Sequence, residues 1–150
     1  MTQLQKIIFE DDLFLLEQAD FCDLPGYLIL KLKNEAHSMS ELNLEESEKL
    51  GQILALATQA IERVVLAERV YCLSFCELER RLHFHLFPRT VALATLYSSG
   101  THSNSDNLNG ALLFEWTRTR FKQNDTLPAE FPRLHETCRQ LKLYMQKNNN

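Results

Sequence analysis

Leu50, Ile53, Leu54, Ala57, Ile61, Val64 and Val65 follow the i, i+3, i+4 spacing of one buried helical stripe, and the segments on both sides of it alternate with period two. A long helix with one apolar face, set between stretches of half-buried strand, must cover an open sheet. The spacing therefore predicts an α+β fold in which one helix lies across an antiparallel sheet. Asn43 opens the helix. Its side chain can accept from the first-turn amides, and Glu46 three places on completes a variant of the capping box at the helix's positive end.

Five strands are predicted around it. "KIIFE" and "LFLLEQ" are separated by the turn-prone pair "DD", and "LPGYLILKLK" follows a Pro-Gly break. In that third strand Leu28, Leu30 and Leu32 share one face, and Tyr27, Ile29, Lys31 and Lys33 the other. "RVYCLSF" and "LHFHLF", joined by the polar "CELERR", form a second hairpin. Leu82, Phe84 and Leu86 point to the helix side, so Arg81, His83, His85 and Phe87 look away from that core, towards solvent, a groove or another subunit.

Beyond Pro88 the spacing predicts a Ser/Asn/Gly-rich loop, "SSGTHSNSDNLNG", and then two helices. The first is the short amphipathic "ALLFEWTRTRF". The second carries the stripe Phe131, Leu134, Cys138, Leu141 and Met145, with Pro132 suited to its first turn and "KNNN" a disordered tail. No internal repeat is visible. The chain of 150 residues is expected to be one domain, with a core over 6–90 and a helical extension over 91–147.

Composition limits the function classes. A formal charge of −4 opposes association with long polyanions, so no nucleic-acid partner is expected. No apolar run reaches the roughly 18 residues that cross a bilayer, and the start lacks a secretory pattern, so the expected location is cytoplasmic, without a membrane partner. Cys22, Cys72, Cys76 and Cys138 form no paired zinc knuckles and are expected as reduced, mostly buried thiols. Cys72 and Cys76 would stand roughly 13 Å apart on a strand, too far to bridge.

Histidines at i and i+2 on one strand face lie about 6–7 Å apart, close enough for both to reach one phosphate. Such a pair can bind a metal, act as acid and base, or supply a nucleophile and its helper. The neighbouring Glu77, Glu79 and His102 lack a diagnostic zinc spacing, so no metal is expected. Arg80, Arg81 and Arg89 surround the histidines and suit a phosphorylated small molecule.

In order, "PGYLILKLK", "LNLEESEKL" opening the long helix, "RVYCLSF" and "LHFHLFPR" resemble the histidine triad (HIT) family of nucleotide hydrolases and transferases over residues 6 to 90. That family's signature alternates three histidines with apolar residues and often closes with Pro-Arg. Aligned on Pro88-Arg89, His83 matches the middle histidine, which attacks phosphorus, and His85 matches the third, which contacts phosphate and leaving group. Arg81 stands where the first histidine should be. Tyr27 stands where Pro-Gly-His is common, and Cys76-Glu77 where relatives carry Gly-Asn or another amide donor.

The resemblance implies a HIT-like fold and a diadenosine polyphosphate hydrolase-like activity. A nucleotidyl-His83 intermediate would form by cleavage at the α-phosphate of a dinucleoside polyphosphate or nucleoside phosphoramidate. It implies phosphate contacts from Arg81, Glu77 and Arg89, and a nucleoside slot with Phe9, Leu13 and Leu15 as walls and Gln18 and Asp20 as ribose contacts. It implies no protein-bound cofactor, a substrate able to arrive as a magnesium complex, and a homodimer. Two other classes stay open: a nucleotide-binding module with attenuated or no turnover, favoured by Arg81 and Glu77, and a structural domain with incidental histidines.

Overall fold

Asp11 closes the first hairpin, its Oδ1 accepting from the amides of Leu13 (2.9 Å) and Phe14 (2.8 Å). In the computed structural model, which describes residues 1–124 and 126–149, this turn joins β1 (Ile7–Glu10) to β2 (Phe14–Gln18) after a single helical turn, α1 (Gln3–Lys6). Gly26 makes the next reversal at φ +82°, where a Cβ would stand 3.0 Å from Val65 Cγ1. Only glycine meets both demands without strain. The strand that follows is β3 (Leu28–Leu32).

The long helix is α2 (Leu44–Val65), and its N-terminus is capped as the residues predict. Asn43 Oδ1 accepts from Glu46 N at 2.9 Å, and Glu46 Oε2 accepts from Asn43 N at 3.0 Å. The second hairpin follows, β4 (Arg69–Leu73) and β5 (His83–Arg89). All pairings are antiparallel, in the order β1-β2-β3-β5-β4, so β5 is a central strand between β3 and β4.

Leu28, Leu30, Leu82, Phe84 and Leu86 turn to the face covered by Leu50, Ile53, Ala57 and Ile61 of α2. The opposite face is also covered. Tyr27, Ile29 and Phe87 pack there under Leu93 and Tyr97 of α3 (Val91–Thr101) and Leu113 and Phe114 of α4 (Gly110–Arg120). The chain then crosses to the first face, where α5 (Leu134–Asn148) lies beside α2 with Cys138, Leu141 and Met145 buried.

Four details differ from the sequence expectation. A helix that was not expected, α3, takes up Ser98, Ser99 and Gly100 of the expected loop, capped by Thr90 Oγ1 accepting from Leu93 N at 3.2 Å. Pro132 precedes the N-cap Arg133 and so lies outside the first turn. Phe131 belongs to the second face, packed on Phe121, and does not share the α5 stripe. Lys147 and Asn148 are helical, while Asn150 lies outside the described residues. Among the described residues no helix is long and apolar enough to cross a membrane.

Candidate functional site

His83 and His85 enter the second face from consecutive outward positions of β5, opposite Lys31 and Ile29 of β3. Their ring centroids are 5.1 Å apart with the planes at 61°. Period two makes this convergence, and the central position of β5 makes it rigid.

The two imidazoles sit in different environments. His83 is partly exposed, and its Nδ1 lies 2.8 Å from the carbonyl oxygen of Arg81. A carbonyl only accepts, so Nδ1 carries the proton and the neutral ring keeps its lone pair on Nε2. Nε2 has no hydrogen-bond partner among the described residues. Cys76, in the left-handed region at φ +53°, brings Sγ to 3.8 Å from the same Nδ1.

His85 is 8% exposed. Phe21, Tyr27 and Phe114 surround it at centroid distances of 6.2, 5.9 and 6.0 Å. Burial, the neighbouring His83 and Arg118 together push its pKa down from 6.5 to about 4, so the ring is uncharged near neutrality. Tyr27 Oη lies 2.7 Å from Nδ1, and burial pushes the phenol's pKa upward. With no other acceptor for that hydroxyl among the described residues, it donates to Nδ1. The histidine proton then resides on Nε2, the opposite of the His83 tautomer.

Two cavities meet at this pair. One, of about 430 Å³, lies over β2 and β3 and is lined by Leu15, Asp20, Ile29, Lys31 and Arg81. The other, a groove of about 1080 Å³, runs between the β4–β5 loop and α4 past Phe75, Cys76, Glu77, Phe114, Arg118 and Lys122. His83, His85, Phe21 and Glu79 border both.

The expected site residues divide accordingly. Arg81, Glu77, Leu15 and Asp20 join the histidines at these cavities. Phe9, Leu13, Gln18 and Arg89 do not. Phe9 pairs with Leu16 in the β1–β2 ladder and shares its face, packed with Leu13 on the α2 core, with Lys49 Nζ 5.9 Å from its ring centroid. Gln18 is consumed by the turn before β3, donating to Leu24 O (2.9 Å) and accepting from Gly26 N (3.0 Å). Arg89 is at the far end of β5, paired with Glu68 at 2.6 Å. Arg81 falls at the bend before β5, so it is outside the ladder; its backbone N donates to Glu79 Oε1 at 3.0 Å and its Nε lies 3.4 Å from the same oxygen.

Phe21, Phe114, Arg118 and Glu17 line these cavities and were left out of the sequence expectation; Lys31, ion-paired with Glu17, lines the smaller one. Phe114 and Arg118 sit four apart in the amphipathic segment "ALLFEWTRTRF", so one helix face was the available signal. That the face lies over the histidines is a tertiary fact. Cys22, Cys72, Cys76 and Cys138 are all free, with Cys72 exposed.

No family model and no curated protein sequence matches this chain. Solved structures do match. A hypothetical histidine triad nucleotide-binding protein from Sulfolobus tokodaii superposes with a TM-score of 0.61 at 13% identity, over 95% of this chain and 84% of that one. A diadenosine triphosphate hydrolase from Plasmodium falciparum gives 0.59 at 10% identity, over 97% and 80%. A histidine triad protein from Sinorhizobium meliloti gives 0.58 at 17% identity, over 95% and 87%. At such identities the likeness is one of fold: the five-stranded antiparallel sheet, the long helix and the C-terminal helices form a HIT-like α+β architecture.

Proposed function

We propose that this HIT-fold chain is a nucleotide hydrolase or transferase that cleaves at the α-phosphate of dinucleoside polyphosphates or nucleoside phosphoramidates through a nucleotidyl-His83 intermediate. The supporting observation is the 2.8 Å contact from His83 Nδ1 to the Arg81 carbonyl, which leaves the Nε2 lone pair free where two cavities join.

Nε2 of neutral His83 attacks the α-phosphorus, a P–N bond forms, and the P–O or P–N bond to the leaving group breaks. The leaving group departs with the electron pair and takes its proton from solvent. The positive charge on the phosphorylated ring is stabilised at Nδ1–H by the Arg81 carbonyl. Water then attacks phosphorus, the electron pair of the P–N bond returns to Nε2, and the nucleoside monophosphate leaves as the water proton passes to solvent. His85 acts by donating a hydrogen bond from Nε2–H to a phosphoryl or leaving-group oxygen. With a pKa of about 4 it is not a proton store at neutral pH.

The nucleoside would occupy the smaller cavity against Leu15, Phe21 and Ile29, with Asp20 at its rim for the ribose. The rest of the substrate would follow the groove past Glu77. Arg81 would approach the phosphate from the smaller cavity. No resident cofactor enters this scheme, and the substrate can carry its own magnesium. We also propose a homodimer, formed through α2 and β4, whose ladder is with β5 alone among the described residues.

Turnover of diadenosine polyphosphates and adenosine 5′-phosphoramidate by the wild type and His83→Ala tests the activity. Hydrolysis abolished by the substitution, with adenylylated His83 trapped by alkaline quench, is expected. Hydrolysis that persists in His83→Ala overturns it. A second reading, a nucleotide-binding module with attenuated turnover, is favoured by the Arg81–Glu79 pairing, which puts a carboxylate beside the cation expected to meet phosphate. Nucleotide-induced thermal stabilisation without hydrolysis would select that reading.

A further inference from the structure

Arg118, in the last turn of α4, comes from a part of the chain beyond residues 6–90, the segment whose sequence motifs resemble the HIT family. Its guanidinium carbon stands 5.2 Å from the ring centroids of both Phe21 and Phe114, the rings that also flank His85. It borders the groove together with both histidines. The one carboxylate within ion-pair distance of it among the described residues, Glu115, is 4.0 Å from Nη1, the outer limit of such a contact. Its buried Nε has no hydrogen-bond partner among the described residues.

A guanidinium held by two aromatic faces loses little further freedom on binding, and its planar fork of N–H donors matches the oxygens of a phosphate. The Arg118 side chain is 34% exposed and lines the groove, so it is within reach of an anion held there. Arg81 offers less. Its side chain is 54% exposed and paired with Glu79. Glu77, Glu79 and Glu115 also border the groove, against Arg118 and Lys122.

We propose that Arg118 is the principal phosphate-binding residue of the site, holding an oxyanion of the nucleotide whose α-phosphorus faces His83. This rests on the nucleotide reading above. Arg118 thereby takes over the cationic role that position 81, outside the strand and carboxylate-paired, fills poorly, and it gives α4 a part in the site.

Calorimetric titration of the full-length protein with AMP, inorganic pyrophosphate and adenosine tests the assignment, using the wild type, Arg118→Gln and Arg118→Lys. Arg118→Gln should weaken AMP and pyrophosphate roughly 10- to 100-fold, the range for a charge-assisted hydrogen bond, and change adenosine less than about twofold. Arg118→Lys, which keeps the charge and loses the fork, should fall between. If Arg118→Gln fails to fold, the lysine variant carries the test, and AMP affinity within about twofold of wild type overturns the proposal. Loss of pyrophosphate binding in Arg118→Gln with no turnover by the wild type sinks the hydrolase reading alone. Turnover that needs His83 and is indifferent to Arg118→Gln sinks the Arg118 assignment alone. A wild type that binds neither AMP nor pyrophosphate overturns both.

Discussion

The hydroxyl of Tyr27 donates to Nδ1 of His85 across 2.7 Å, tying the entrance of β3 to the centre of β5 beneath α4. This one bond selects the His85 tautomer and fixes its ring. Tyr27→Phe removes the donor and strands a buried imidazole nitrogen. A loss of about 1–3 kcal/mol in unfolding free energy is expected, read as a lower urea midpoint at unchanged slope. An unchanged midpoint would show the bond to be dispensable.

His85 also makes stability depend on pH. Burial holds its folded pKa at about 4, below the ordinary 6.5, so between these values the unfolded chain binds more protons than the native one. This contribution to stability is complete above about 6.5, is lost progressively as pH falls towards 4, and levels off below. Urea denaturation at pH 7.5, 6, 5 and 4 should show the decline in the wild type and a shallower one in His85→Gln. Parallel profiles would contradict the buried, uncharged ring.

Glu79 borders both cavities and holds the Arg81 side chain. Glu79→Gln keeps an acceptor for the Arg81 amide and removes the negative charge. AMP affinity should rise about two- to fivefold at low ionic strength, with the gain shrinking in 0.5 M salt, as expected for exposed charges. A weaker affinity in the variant would mean that Glu79 organises the site by more than its charge.

Asn43→Ala removes the cap at α2, whose Oδ1 accepts from Glu46 N at 2.9 Å. A cost of about 1 kcal/mol is expected. Because α2 covers the sheet face opposite the histidines, ligand affinity at the site should be unaffected once the protein is folded, and comparison of the melting temperature with AMP binding checks both halves.

Arg81→His restores an imidazole at the bend before β5 and frees Glu79. A higher hydrolysis rate is expected if position 81 is what limits turnover, measured as kcat at saturating substrate against the wild type. A fall in rate would show that the guanidinium, and not an imidazole, is the group this site uses.

Much of this architecture was legible in local sequence. The 3.6-residue stripe of Leu50, Ile53, Ala57 and Ile61, the Asn43–Glu46 cap, the Asp11 turn and the alternation of Leu82, Phe84 and Leu86 each depend on neighbours a few residues apart, and the structure bears them out. The same alternation put His83 and His85 on one face. Residues whose surroundings come from far along the chain were harder to assign. Phe9 and Leu15 are both apolar strand residues, and only the β1–β2 register sends the first to the α2 core and the second to the cavity.

The sequence alone determined the periodicities, and with them the strands, the long helix and the shared face of the two histidines, because backbone geometry repeats locally. Tertiary structure decided that α4 closes over that face while α5 crosses to the other. It also decided that Tyr27 caps one imidazole while the Arg81 carbonyl orients the other, and that Arg118 arrives between Phe21 and Phe114. These outcomes depend on where apolar surfaces far apart in the chain find each other during burial, and no spacing within a single element records that choice.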